Sequence, residues 1–345
     1  MDIFSFCRCP GIVSAVFAVT WVMHSAPEAL AAPDPPAISA SQPDHAENFT
    51  LRDHDVVAFL GGDWVVEELE TGHFESLLAA AFPGRGVRFR NLGWEGDTVF
   101  EQPRDVNFPG VIDELKRVDA GVVFLQFGRQ ESRAGKDGIG AFVSAYEKLC
   151  DAVGKQSPKM VLVTPPPDDQ TPGVDPHARA ADLRLYASAI RELANRRGYA
   201  CADIFSELGG ANDAPASDPL TEHGTPTARG AARVALAEAR QLGLGATADA
   251  ATKGKAPANQ DGRWNTPPME ALRQAIVAKN RLWFRYRRPT NWAFLGGDRT
   301  SVPSSHDHRD PSVRWFPAEM EQYVPLIEQA EARADELARA AREAR

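Results

Sequence analysis

Cysteine is scarce in this chain of 345 residues: there are four, Cys7, Cys9, Cys150 and Cys201. The first two fall in a segment read below as a removable leader, so no disulfide scaffold follows, and Cys150 and Cys201 are expected as buried apolar side chains. Bilayer-length apolar runs are missing too. The run over residues 11–23 has 13 residues, short of the roughly 20 that cross a membrane as a helix. Positive charge is not in excess, since 38 Lys and Arg face 47 Asp and Glu for a formal charge of −9. An acidic, evenly mixed surface argues against nucleic acid or anionic membrane as a partner.

The short apolar run has a use. It is followed by Ala29-Leu30-Ala31, a small-x-small cleavage pattern, so residues 1–31 are expected to be a secretory signal peptide and the protein to be secreted or periplasmic, with no stable membrane insertion after cleavage. Removal of Asp2, Arg8 and Glu28 with the leader moves the formal charge from −9 to −8. Residues 32–48, rich in Pro, Ala, Ser and Asp, read as a linker.

From residue 49 the pattern alternates. Strands are expected over residues 56–60, 87–91, 121–127, 160–164 and 199–204, and helices near 71–82 and over 111–118, 139–153, 178–197 and 227–241. Several strands are unbroken apolar runs, such as Val122-Val123-Phe124-Leu125 and Met160-Val161-Leu162-Val163. Such strands are buried on both faces, which predicts a three-layer α/β/α sandwich on a parallel five-stranded sheet. Ligands of such sheets sit at the carboxyl ends of the strands.

A stretch of Ala, Gly, Thr, Lys and Asn over 244–263 reads as a linker or surface loop, dividing a domain at 49–243 from a helical extension at 264–345. In the extension, Leu272, Ile276, Lys279 and Trp283 have helical spacing and lead into Trp283-Phe284-Arg285-Tyr286-Arg287-Arg288. That cluster suits stacking on a sugar or base, or docking of the extension by its aromatics, the reading favoured here. A last helix over 317–345 carries an apolar stripe through Ile327, Ala334 and Leu337 that fits packing on its own domain, or a partner helix and hence a homo-oligomer. The phrase Phe-Leu-Gly-Gly-Asp occurs at 59–63 and again at 294–298, but the flanks differ and no repeat is inferred.

Chemistry-bearing residues fall just after the strands. Phe59-Leu60-Gly61-Gly62-Asp63-Trp64 ends the first, Asn91-Leu92-Gly93-Trp94-Glu95-Gly96-Asp97-Thr98 the second, and Gly128-Arg129-Gln130-Glu131-Ser132 the third, while Leu220 to Gly230, containing His223, leads into a late helix. The order of these four pieces, spanning residues 53–244, resembles the blocks of the SGNH (GDSL-type) hydrolases, exported esterases and acylhydrolases among them, some with a C-terminal helical extension. The resemblance implies an SGNH-like, flavodoxin-like fold and ester hydrolysis on O-acylated carbohydrates or small esters, with no cofactor and no metal. Its block residues map onto Asp63 at the nucleophile's place and onto Gly96 and Gln130 as oxyanion-hole donors, a role in which close backbone approach favours glycine.

Three departures stand out. Asp63 replaces the serine, Gln130 replaces an asparagine, and the motif histidine's place holds Thr225 or Pro226, with His223 two or three residues early. His223 reads as a displaced base or as a surface histidine, and His73 and His177 are poorer candidates. Asp63, Asp97 and His223 around a divalent cation is a weaker alternative. Without serine and imidazole in place, acyl transfer loses several powers of ten. Three readings follow: a catalytically degenerate, ligand-binding member; an active hydrolase using Asp63, His223, Gly96 and Gln130; and an interaction scaffold working through the C-terminal helices.

Overall fold

The computed structural model describes residues 49–167, 173–210, 219–255 and 261–344. The expected leader and linker at 1–48 lie outside them. Five strands, β1 (Val56–Gly61), β2 (Arg88–Asn91), β3 (Val122–Gln126), β4 (Lys159–Val163) and β5 (Ala200–Ala202), form one sheet in the order β2-β1-β3-β4-β5. Every neighbouring pair is parallel. Two short strands, β6 (Thr221–Glu222) and β7 (Thr225–Pro226), make an antiparallel hairpin.

Strand alternation divides the apolar residues between two cores. Val57, Phe59, Phe124, Val161 and Val163 face one, and Ala58, Leu60, Val123, Leu125 and Leu162 face the other. This is why the strands read as continuous apolar runs. The first core is covered by α1 (Asp63–Thr71) and α2 (His73–Ala81), and the second by α3 (Val111–Val118), α4 (Ile139–Gly154) and α5 (Pro176–Arg197). A single turn, α6 (Ile204–Glu207), follows β5, and α7 (Ala228–Gln241) returns to the first layer, packing on α1 and α2. Cys150 and Cys201 are free and buried, and burial pushes both thiols up to about 12.

The expected helix near 71–82 is α2, and a further helix, α1, precedes it. Helix α1 starts directly at Asp63 and ends at Gly72, whose φ of 62° and bond to the Glu68 carbonyl close it before α2 begins. The adjacent Val65 and Val66 conceal α1 in the sequence, because β-branched pairs after a strand read as more strand. The expected linker at 244–263 contains α8 (Gly245–Thr252), with Thr247, Ala248, Ala251 and Thr252 buried. Alanine there is compact core, which composition alone cannot tell from a solvated loop.

The extension comprises α9 (Pro267–Arg287), α10 (Trp292–Leu295), α11 (Trp315–Glu321) and α12 (Tyr323–Glu343). Helix α9 packs on α1 and α2, and α12 lies on α9 and α2, so the apolar stripe of the last helix meets its own chain. The aromatic and arginine cluster serves that docking. Trp283 Nε1 donates to the Asn91 carbonyl at 2.9 Å, and Arg287 Nε and Nη2 bond Glu114 at 2.8 and 2.5 Å. Both partners of that pair are buried, with 1% and 0% of their side chains exposed. Arg287 also donates to the carbonyls of Leu92 and Gly93, so four of its five N–H groups are bonded. A second buried pair, Lys279 with Glu75 at 2.7 Å, joins α9 to α2.

Candidate active site

The carboxyl ends of β1 and β3 set the site. Strand β1 ends on Gly61 because a Cβ there would lie 2.5 Å from the Gln126 carbonyl oxygen and 2.6 Å from a Val65 methyl. Gly62 then caps α1, its carbonyl accepting from the Val65 and Val66 N–H groups. Asp63 is the first helical residue, where the unpaired N–H groups and the helix dipole favour an acidic side chain.

Asp63 points at the segment after β3. Its Oδ2 lies 3.4 Å from Arg129 Nη1 and 3.3 Å from Gln130 Nε2. Arg129 also reaches the β6–β7 turn, its Nη2 donating to the Gly224 carbonyl at 2.7 Å. The block that presents both side chains is firmly held. Buried Glu131 accepts the Val99 and Gly128 N–H groups at 2.8 Å each, and Arg179 donates to Ser132 Oγ and to the Arg129 carbonyl. Burial raises the Glu131 pKa, opposed by those N–H bonds.

The structure therefore brings Asp63 and Gln130 together, and no hydrogen bond joins Gly96 or His223 to either. Gly96 has a φ of 81° and no heavy atom within 4 Å of the place a Cβ would take, in a loop whose Asp97 carbonyl lies beside Gly62. Asp97, next to it, is buried and gives both oxygens to Arg104 at 2.8 Å. Its carboxylate is thereby unavailable to a cation shared with Asp63, and among the described residues no group of three His, Cys, Asp or Glu side chains is set to hold a metal. His223 sits at the tip of the hairpin, exposed, with φ 51°, and no described residue bonds its imidazole.

The two poorer histidine candidates make no bond to Asp63 or Gln130. His73 is fully buried, its Nε2 2.6 Å from the Gly262 carbonyl oxygen. Burial, helped by Arg273, lowers it to about 4, so it is neutral. His177 is exposed at the start of α5, where Asp175 caps the helix by accepting its backbone N–H.

Sequence reasoning missed Arg129 as a functional side chain, although it stands between Gly128 and Gln130; only its reach to two separate loops reveals the role. It also missed the cleft's inner wall. Asp63, Gln130 and Pro165 line an open space of about 350 Å3, and Trp64 and Gln126 line both this cleft and a second, apolar cavity beneath α1. Chemically the cleft offers an ion-paired carboxylate, an amide and a guanidinium, a set suited to hydrogen-bonding a polar ligand.

Residues 61–233 match the model of the GDSL-like lipase/acylhydrolase family. No curated protein matches the chain. Among solved structures, the chain is similar to BT4096, a gut microbial diltiazem-metabolizing enzyme, at 11% identity and TM-score 0.54, over 87% of this chain and 97% of that one. A catalytic mutant of Axe2, an acetylxylan esterase from Geobacillus stearothermophilus, aligns at 15% identity and TM-score 0.42 over 56% of this chain and 96% of its own. LAE5, an alpha/beta hydrolase enzyme from the metagenome of Lake Arreo, Spain, aligns at 16% identity and TM-score 0.44 over 56% and 98%.

Proposed function

Since the chain belongs to the GDSL-like lipase/acylhydrolase family, we propose that it is an exported member whose cleft binds an acylated carbohydrate or small ester without turning it over. The observation that carries this reading is the convergence of Arg129 and Gln130 on one oxygen of Asp63. A serine in that place would need an imidazole to take its proton. Here the place holds a carboxylate, and the cation beside it neutralises charge but accepts no proton. His223, exposed on its turn, supplies no base within hydrogen-bond reach. Export rests on the leader pattern over residues 1–31.

The test compares hydrolysis of p-nitrophenyl acetate and of acetylated glycans by the mature protein and by Asp63→Ala. Near-background and equal rates, with saturable binding of an acetylated glycan, are expected. A second reading, an aspartate-based hydrolase with His223 as displaced base, is favoured by Arg129, which ties Asp63 to Gly224, the neighbour of His223. Activity that falls about a hundredfold or more in Asp63→Ala, the scale of losing a catalytic group, would establish that second reading instead.

A further inference from the structure

Beneath α1, between the sheet and α7, lies a cavity of about 450 Å3 including its open mouth. Phe59, Phe74 and Phe124 form its apolar walls, and Trp64 and Gln126 connect it to the cleft beside Asp63. Its polar groups are unusual for a core. Trp64 Nε1 and Gln126 Nε2 are buried without a hydrogen-bond partner. Glu238 lines the same space and its carboxyl bonds no described residue, while Glu68, also on the wall, takes only backbone N–H groups, that of Glu75 at 2.9 Å. Burial raises both carboxyls, Glu68 to about 8 and Glu238 well above its ordinary value, the latter with a further push from the neighbouring Glu68.

A neutral carboxyl carries an O–H, so the wall presents an indole N–H, an amide and the acid form of Glu238, with no protein acceptor for the first two. Leaving a buried donor unmade costs about 1–3 kcal/mol, and two beside one apolar space call for an acceptor from outside. A cation would require two ionised carboxylates side by side in an apolar surround, which burial opposes.

We propose that this cavity seats a short, uncharged acyl group, its carbonyl oxygen accepting from Trp64 Nε1 and Gln126 Nε2 and its alkyl end packing on Phe59, Phe74 and Phe124. The inference rests on the reading that the cleft binds an acylated ligand, and it assigns the acyl end of that ligand to the inner cavity and the alcohol or sugar part to the cleft. Ester, rather than free acid, is the class selected, because the apolar surround that keeps Glu68 and Glu238 protonated disfavours an ionised ligand carboxylate in the same way.

The experiment follows the indole N–H signals of the 15N-labelled protein, with Trp64 identified by its loss in Trp64→Phe, during titration with ethyl acetate, sodium acetate and butylamine. Calorimetry with an O-acetylated xylo-oligosaccharide and with Val234→Trp, which fills the cavity from α7, runs beside it; thermal unfolding confirms that both variants fold. A saturable shift of the Trp64 signal with ethyl acetate alone, together with glycan binding weakened about tenfold or more in Val234→Trp, is expected. A Trp64 signal that ignores ethyl acetate, or that butylamine moves as far, overturns the assignment. Glycan binding untouched by Val234→Trp but abolished by Gln130→Ala overturns the cavity and leaves the cleft reading standing. A Trp64 response to ethyl acetate without any glycan binding does the reverse.

Discussion

Arg129 and Asp63 form an ion pair of 3.4 Å that joins the segment after the first strand to the segment after the third. The pair is lopsided: the Arg129 side chain is 10% exposed and that of Asp63 is 37%. Arg129 is fixed by its second bond to Gly224, so the cation is the rigid member and the carboxylate its more accessible partner.

A serine introduced at residue 63 will not by itself bring ester hydrolysis. Asp63→Ser is expected to hydrolyse p-nitrophenyl acetate no faster than the parent, because the residue beside it is a guanidinium and no imidazole is within reach to activate the hydroxyl. A rise of about a hundredfold in steady-state assay would show that His223 does reach the site.

Glu68→Gln is expected to stabilise the protein at neutral pH. The folded state lifts Glu68 from 4.5 to about 8, so between those values the unfolded chain releases a proton that the folded one keeps. Stability from this group is complete below about pH 4.5 and is lost as pH rises towards 8, amounting to roughly 3 kcal/mol at pH 7 at about 1.4 kcal/mol per pH unit. The Glu75 carboxylate acts in the same direction. Glutamine keeps the acceptor for the Glu75 N–H and removes the charge, so the gain in Tm should be larger at pH 7.5 than at pH 5.

Arg287→Met should cost about 3 kcal/mol by leaving buried Glu114 with only the half-exposed Arg117, 3.4 Å away, as its partner. The double change Arg287→Met with Glu114→Leu should recover part of that loss, since neither charge then remains. Denaturant titration of the three proteins gives the comparison; equal stability of the single and double variants would contradict it.

Gly230→Ala should lower Tm by several degrees or prevent folding. A Cβ at Gly230 would fall 2.0 Å from the Leu220 carbonyl oxygen, and backbone cannot swing aside as a side chain can. Because Leu220 leads into the hairpin that carries Gly224, any surviving protein should also bind acylated ligand more weakly, which calorimetry would record.

The sheet was legible because its strands are apolar on both faces, and α3 was legible to the residue because Gly110 and Asp119 bracket a short amphipathic run. Helix α1 was not, since Val65 and Val66 continue the strand's vocabulary across a turn made by two glycines. Among the site residues, Asp63 and Gln130 could be found by their places after β1 and β3, and they do meet. Arg129 could not, because what distinguishes it is a bond to a carbonyl 95 positions later. Nor could the cavity: Glu68 and Glu238 look like ordinary solvated helix charges until α1 and α7 are laid against each other.

Trp283 and Arg287 spend their donors on the carbonyls of Asn91, Leu92 and Gly93, immediately after the second strand. Those three oxygens belong to the segment matching the family model, and their donors belong to helix α9, outside it. The boundary drawn by homology thus cuts through a shared set of bonds, and a chain ending near residue 243 would unveil main-chain oxygens together with the Glu114 carboxylate. Heating should accordingly melt the hydrolase-like body and its extension in one calorimetric event, the latter behaving as an inseparable wall of the sheet.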